Sequence, residues 1–263
     1  MPILNLKEIR LHYREDGVGP DALIFVHALG TDLRIWDAVV AHASRRFRCL
    51  RYDLPGHGQT SFAGGHLSIQ QLAADLSQFM DALGLARAAL CGISIGGLVA
   101  QHMAIHEPER VSALILCDTA LRIGSAAQWD ERIRLVQSRG LADIADDVMK
   151  RWFKADFRDR EPEVFAALRQ GLIATTPDGY IGACHALRDA DFSGLADRID
   201  MPTVVLCGTD DMATPPEVAQ LLASSIKGAR FSLIPGAGHL PCIEAPGHVT
   251  EAIDLFLTEA SLV

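Results

Sequence analysis

No stretch of this 263-residue sequence approaches the ~18 to 20 consecutive apolar residues that a membrane-spanning helix needs. The opening residues, Met1-Pro2-Ile3-Leu4-Asn5, carry no basic segment followed by an apolar run, so they do not read as a secretory signal. C-x-x-C spacing is absent among the six cysteines (Cys49, Cys91, Cys117, Cys184, Cys207, Cys242). Several of them stand in apolar runs, where cysteine behaves as a small buried hydrophobe. H-E-x-x-H does not occur among the ten histidines. A reducing cytoplasm and no metal are therefore expected. Basic charge is also in deficit: 24 Lys and Arg against 33 Asp and Glu give a net charge of −9. A nucleic-acid backbone would be repelled, so neither nucleic acid nor membrane is expected as a partner. Long glycine, proline or serine runs, internal repeats and low-complexity segments are missing too. A chain of ~250 residues can be one domain in α/β architectures and buries an ample core.

What is present alternates. Residues 3–14 hold two short segments around Lys7-Glu8 that suit a hairpin at a sheet edge. Residues 22–26 (ALIFV) form a near-continuous apolar run, as expected of a strand buried on both faces in a parallel sheet. Further strands are predicted at 48–52, 88–91, 113–117, 203–207 and 230–234. Between them, residues 68–83 place Ile69, Leu72, Ala73, Leu76, Phe79, Met80 and Leu83 on one helical face, with Ser68 as N-cap. Helices are also predicted at 95–106, 216–226 and 246–257. This pattern predicts an α/β fold: one mostly parallel sheet covered on both faces. Residues 120–190 break the alternation with four consecutive helices at 126–139, 141–153, 162–172 and 179–189. They read as a helical lid over the C-terminal edge of the sheet, where open α/β sheets place ligands.

Gly92-Ile93-Ser94-Ile95-Gly96 follows a predicted strand and opens a predicted helix. In such a nucleophile elbow the serine sits on a strained tight turn, and glycines two residues away on either side avoid Cβ clashes. The turn lifts the hydroxyl of Ser94 and aims the Ile95 amide at the reacting oxygen. A serine nucleophile needs a histidine base and an acid, in the chain order Ser, Asp, His. Asp210 and Asp211 follow the strand at 203–207, and His239 follows the strand at 230–234 in a Gly-Ala-Gly-His loop. The histidine would take the serine proton and later return one to the leaving group, while the aspartate fixes its tautomer. Other histidines (His57 and His66 in loops, His102 and His106 on a helix) are expected to be structural. His27-Ala28-Leu29-Gly30 ends the first buried strand, and a backbone N–H here, at Leu29 or else at Ala28, would complete an oxyanion hole with Ile95.

Together, H-x-L-G at residue 27, Arg51-Tyr52-Asp53-Leu54-Pro55-Gly56-His57-Gly58, G-I-S-I-G-G, G-T-D-D-x-A-T-P-P and G-A-G-H resemble the α/β-hydrolase superfamily. The usual glycine after the first-strand histidine is Ala28 here. The resemblance implies one α/β-hydrolase domain over residues 1–263, with the lid inserted at about 120–190. It also implies that the acid is Asp211, three residues after Gly208, with Asp118 the position used in some members. More narrowly, Cys117-Asp118-Thr119-Ala120 and residues 180–192 (YIGACHALRDADF) are similar to the 3-oxoadipate enol-lactonases of bacterial aromatic degradation. That family implies hydrolysis of an enol-lactone without a cofactor. Some relatives carry a fused decarboxylase domain; the chain stops after its last helix, so that second activity is not expected.

A lactone bearing an acetate arm is an anion and needs a local cation. Residues 120–190 contain 11 basic and 11 acidic residues, which leaves the whole −9 elsewhere. Arg122, Arg132, Arg134 and Arg188 are the candidate carboxylate ligands, because arginine grips carboxylates with two donors. Trp129 is a candidate for the pocket wall. Competing functions are a carboxylesterase or cofactor-free perhydrolase, a carbon–carbon bond hydrolase with the same triad, and a non-catalytic ligand receptor on the same fold.

Overall fold

The computed structural model describes residues 2–260. Two antiparallel strands, β1 (Ile3–Asn5) and β2 (Arg10–Asp16), form the predicted edge hairpin, with Leu4 opposite Leu11. They are followed by β3 (Ala22–Val26), α1 (Asp37–Ala43), β4 (Arg48–Tyr52), α2 (Ile69–Ala82), β5 (Ala88–Ile93), α3 (Ile95–His106) and β6 (Val111–Cys117). Then come α4 (Ala126–Arg139), α5 (Leu141–Trp152), α6 (Phe157–Arg160), α7 (Pro162–Ala174) and α8 (Pro177–Asp189). The chain finishes with β7 (Thr203–Gly208), α9 (Pro216–Ser225), β8 (Arg230–Ile234), α10 (Pro241–Glu244) and α11 (Pro246–Glu259).

The eight strands lie in the order β1-β2-β4-β3-β5-β6-β7-β8. β2 pairs antiparallel with β4, and every pair from β4 through β8 is parallel. Every residue of β3, β5 and β7 is buried. Successive side chains point to opposite faces, so the sheet must be covered on both sides. In one layer α1 packs on α11, and in another α2 packs on α3.

Local chemistry sets the helix starts. Ser68 accepts the Gln71 N–H while the Gln71 side chain accepts the Ser68 N–H, and Ser125 with Gln128 repeats that reciprocal cap at α4. Proline opens α7, α8, α9, α10 and α11, where its missing N–H costs nothing.

The interruption predicted at 120–190 is α4 to α8, inserted between β6 and β7. It is tied to the loop after β4, where the Thr176 N–H and hydroxyl both donate to the Gly56 carbonyl (3.1 and 3.0 Å). Because the inner strands are parallel, Leu29, Ser94, Asp118, Asp211 and His239 all follow C-terminal strand ends on one edge of the sheet. Among the described residues, no helix is long and apolar enough to cross a membrane.

Candidate active site

Ser94 stands between β5 and α3 with φ 56° and ψ −119°, a conformation that costs a non-glycine residue about 1–3 kcal/mol. The flanking glycines show what enforces it. A Cβ on Gly92 would run into the Gly96 carbonyl, and one on Gly96 into the Val26 carbonyl, closer than real Cβ atoms approach. The turn is therefore wedged against β3.

His239 is buried, and its Nδ1–H donates to Asp211 Oδ2 at 2.9 Å. That bond sets the tautomer and leaves Nε2 to accept a proton. Asp211 is surrounded by donors: Oδ1 accepts the Ala213 and Thr214 N–H groups (2.7 and 3.1 Å), and Oδ2 also accepts the Thr214 hydroxyl (2.6 Å). Burial works against its ionised form, but the His239 charge and the bonds from His239 and Thr214 outweigh that and hold the carboxyl well below the usual range. Asp210, adjacent in sequence, is exposed and accepts the Thr209 hydroxyl instead. Asp118 is fully buried behind Asp211, with one oxygen on the Gly208 N–H at 2.8 Å.

Two peptide groups present unused N–H donors for a common reason. The Ala28 carbonyl is held by the His27 ring (2.8 Å), the Thr31 hydroxyl (2.8 Å) and the Thr31 N–H (3.2 Å). His27 Nε2 accepts the Leu54 N–H, which makes Nδ1 the donor. A trans peptide points its N–H opposite to its carbonyl, so the Leu29 N–H is turned the other way. Likewise the Ser94 carbonyl accepts the Thr119 hydroxyl (2.8 Å) and the Gly97 N–H (2.9 Å), turning the Ile95 N–H away. As first residue of α3, Ile95 has no helical acceptor.

One cavity is lined by Ala28, Leu29, Ser94 and His239 from the sheet edge, and by Trp129, Arg132, Arg151, Trp152 and Tyr180 from the inserted helices. Of the four arginines proposed from sequence, only Arg132 is in this wall; it donates to the Tyr180 hydroxyl (3.2 Å). The other three are corrections. Arg122 pairs with Asp191, Arg134 with Glu131, and Arg188 with both Asp130 and Asp189, so each is neutralised outside the cavity. Arg151, which sequence reasoning missed, lines the cavity from the last turn of α5. Trp129 lines it as expected, its indole N–H fixed on the Ile123 carbonyl (2.6 Å).

Thr214 was not singled out, although it lies within the G-T-D-D-x-A-T-P-P segment. His57 is buried and bonds the Pro55 carbonyl, and desolvation brings its pKa down to about 3. His66 stacks on His185 at 3.7 Å. His102 and His106 stand four residues apart on α3, which corrects the expectation that no histidines have H-x-x-x-H spacing, with their rings 4.3 Å apart. No third histidine, cysteine or carboxylate among the described residues joins that pair in a metal-sized group.

Residues 21–246 match the alpha/beta hydrolase fold family. The chain is 34% identical over 263 residues to 3-oxoadipate enol-lactonase 2 of Acinetobacter baylyi, covering 96% of this chain and 98% of that one. The crystal structure of the enol-lactonase from Burkholderia xenovorans superposes with a TM-score of 0.95 at 38% identity, over 98% of this chain and 100% of the other. A thermophilic esterase from Thermogutta terrifontis, solved with malate bound, superposes with a TM-score of 0.91 at 32% identity, over 96% and 94%. By matched segment, sheet order and likeness to enol-lactonases along nearly its whole length, the chain belongs to the alpha/beta hydrolase family and is an ester-hydrolysing enzyme.

Proposed function

We propose that this enzyme hydrolyses 3-oxoadipate enol-lactone to 3-oxoadipate in bacterial aromatic degradation, with Ser94 as nucleophile, His239 as base and Asp211 as the acid that orients it. The observation that carries the reading is the two-sided cavity: Ser94 and His239 in its floor, Arg132 and Arg151 in its wall. An enol-lactone with an acetate arm needs both sides.

Ser94 attacks the ring carbonyl as His239 Nε2 takes its proton. The Leu29 and Ile95 N–H groups receive the negative charge that develops on the carbonyl oxygen. Collapse breaks the ring C–O bond as the His239 imidazolium returns its proton to the leaving oxygen, which expels an enol, a better leaving group than an alkoxide, and leaves an acyl-enzyme. Tautomerisation of the tethered enol to a ketone removes the nucleophile that could re-close the ring. Water deprotonated by His239 then releases the product. Arg132 and Arg151 anchor the substrate carboxylate, with Trp129 beside them; the malate-bound esterase gives a precedent for a carboxylate ligand in a related protein. The helical insertion acts as the lid that supplies these groups.

Hydrolysis of freshly generated enol-lactone by wild type and Ser94→Ala tests the mechanism: the variant should lose at least about a thousandfold in kcat. Equal rates would end it. Arg132→Ala and Arg151→Ala should each raise KM roughly tenfold with a smaller change in kcat, the loss of a charged hydrogen bond. An unchanged KM in both would remove the anchor. A simple esterase is the second reading, favoured by the Thermogutta terrifontis likeness; kcat/KM on aryl acetates equal to that on the lactone would select it.

A further inference from the structure

Two carboxylates stand behind His239, and the protein treats them unequally. One oxygen of Asp118, one of Asp211 and a ring nitrogen of His239 lie within 4.8 Å of one another, all buried. Asp211 receives four donors, enough to balance one negative charge. Among the described residues Asp118 receives one, the Gly208 N–H on Oδ1, and its Oδ2 is buried without a partner in a residue with no exposed surface.

The groups facing Asp118 from each neighbouring element are Cys117 on β6, Cys207 on β7, Asp211 after it, His239 after β8 and Cys242 on α10. None is a lysine or arginine. Asp118 also holds a left-handed backbone, φ 43°, directly after β6, which aspartate tolerates better than most residues. A strained, solvent-free carboxyl with a single donor has nothing to stabilise a second negative charge.

We propose that Asp118 is held as a neutral carboxylic acid, its Oδ2 proton turned toward the Asp211 carboxylate. The proposal rests on the triad assignment above. Burial first, and the Asp211 charge second, push the Asp118 carboxyl well above the usual carboxylate range, in accord with the geometry. The consequence is a charge count. One anion rather than two then stands behind the imidazole that faces Ser94.

Asp118→Asn tests this, because it replaces a neutral acid by a neutral amide of the same shape at a position where asparagine tolerates the backbone. The variant should keep kcat/KM within about threefold, and the acid limb of its pH profile should stay within about 0.2 units of wild type. If Asp118 is ionised, removing its charge beside His239 moves that limb to lower pH by about half a unit or more, which overturns the proposal. A second readout needs neither activity nor a perfectly folded variant. Infrared spectra of 13C-aspartate-labelled protein at neutral pH should show a protonated-carboxyl C=O band in wild type and Ser94→Ala, missing from Asp118→Asn. Its absence from wild type overturns the proposal. Its presence in an active Ser94→Ala enzyme would instead refute the triad and leave the buried proton standing.

Discussion

Gly96 shows how single atoms hold the nucleophile turn. A methyl group there would meet the Val26 and His27 carbonyls, backbone atoms at and just after the end of β3 that cannot rotate aside. Gly96→Ala should therefore push Ser94 off the β3 edge and destabilise the fold by about 1–3 kcal/mol, with a larger loss in kcat than in KM. Gly247, near the start of α11, has open space around a would-be Cβ and no positive φ, so Gly247→Ala should be neutral or stabilising by up to about 1 kcal/mol. Chemical denaturation of both variants checks the pair; equal stabilities would mean that the β3 wedge carries no strain. That Ser94 and His239 share one cavity was readable from sequence because their surroundings are local motifs. The fates of Arg122, Arg134 and Arg188 were not. Whether an arginine is free for substrate depends on Asp191, Glu131, Asp130 and Asp189 reaching it, and Asp191 and Asp130 lie 69 and 58 positions away along the chain.

Between elements, the histidine loop is stitched to the inserted helices. The His239 N–H donates to the Trp152 carbonyl at the end of α5 (2.8 Å). Glu244 on α10 accepts the Gly238 N–H with one oxygen (2.5 Å) and the Lys154 N–H with the other (3.3 Å). Glu244→Ala leaves two amides unsatisfied and should cost about 1–3 kcal/mol of stability. Since Glu244 does not line the cavity, its loss should lower kcat several-fold and leave KM nearly alone; an unchanged kcat would show that the loop holds His239 unaided.

The large elements behind this joint were legible in the residues. β3, β4 and β8 fall where their apolar runs predicted, and α4 and α3 match in both bounds. β5 and β6 extend two residues further than read, because Gly92 and Val111 interrupt or precede the apolar runs yet pair in the ladder, with Ser112 at a shift of register between Val111 and Ala113. α1, α6 and α10 were missed: they span seven, four and four residues, too short for a 3.6-residue period to declare itself. The stitching of Glu244 to two distant amides has no local signal at all.

For the whole molecule, the buried titratable groups oppose one another. His57 is fully buried, and its pKa is depressed to about 3, while in the unfolded chain it titrates near 6.5. Between those values the unfolded state binds the extra proton, so stability rises with pH at up to about 1.4 kcal/mol per unit. His27, also lowered by burial, adds in the same direction. Asp118 and Asp75 do the reverse. Burial raises both, Asp75 to about 6, so above the unfolded value near 4 the folded state holds more protons and stability falls as pH rises. His102 and His185 are lowered by burial as well, and Glu244 is raised by it, so the wild-type slope between pH 5 and 6 is the difference between two opposing sets. Removing one group changes that difference in a known direction. Relative to wild type, the slope of stability against pH across this window should fall in His57→Gln and rise in Asp118→Asn, each by about 1 kcal/mol per pH unit. Urea denaturation at three pH values reads these slopes independently of any overall loss of stability. Parallel curves for the two variants would mean that the two buried groups exchange protons alike in both states, and that the neutral histidine and neutral carboxyl inferred from their burial do not exist.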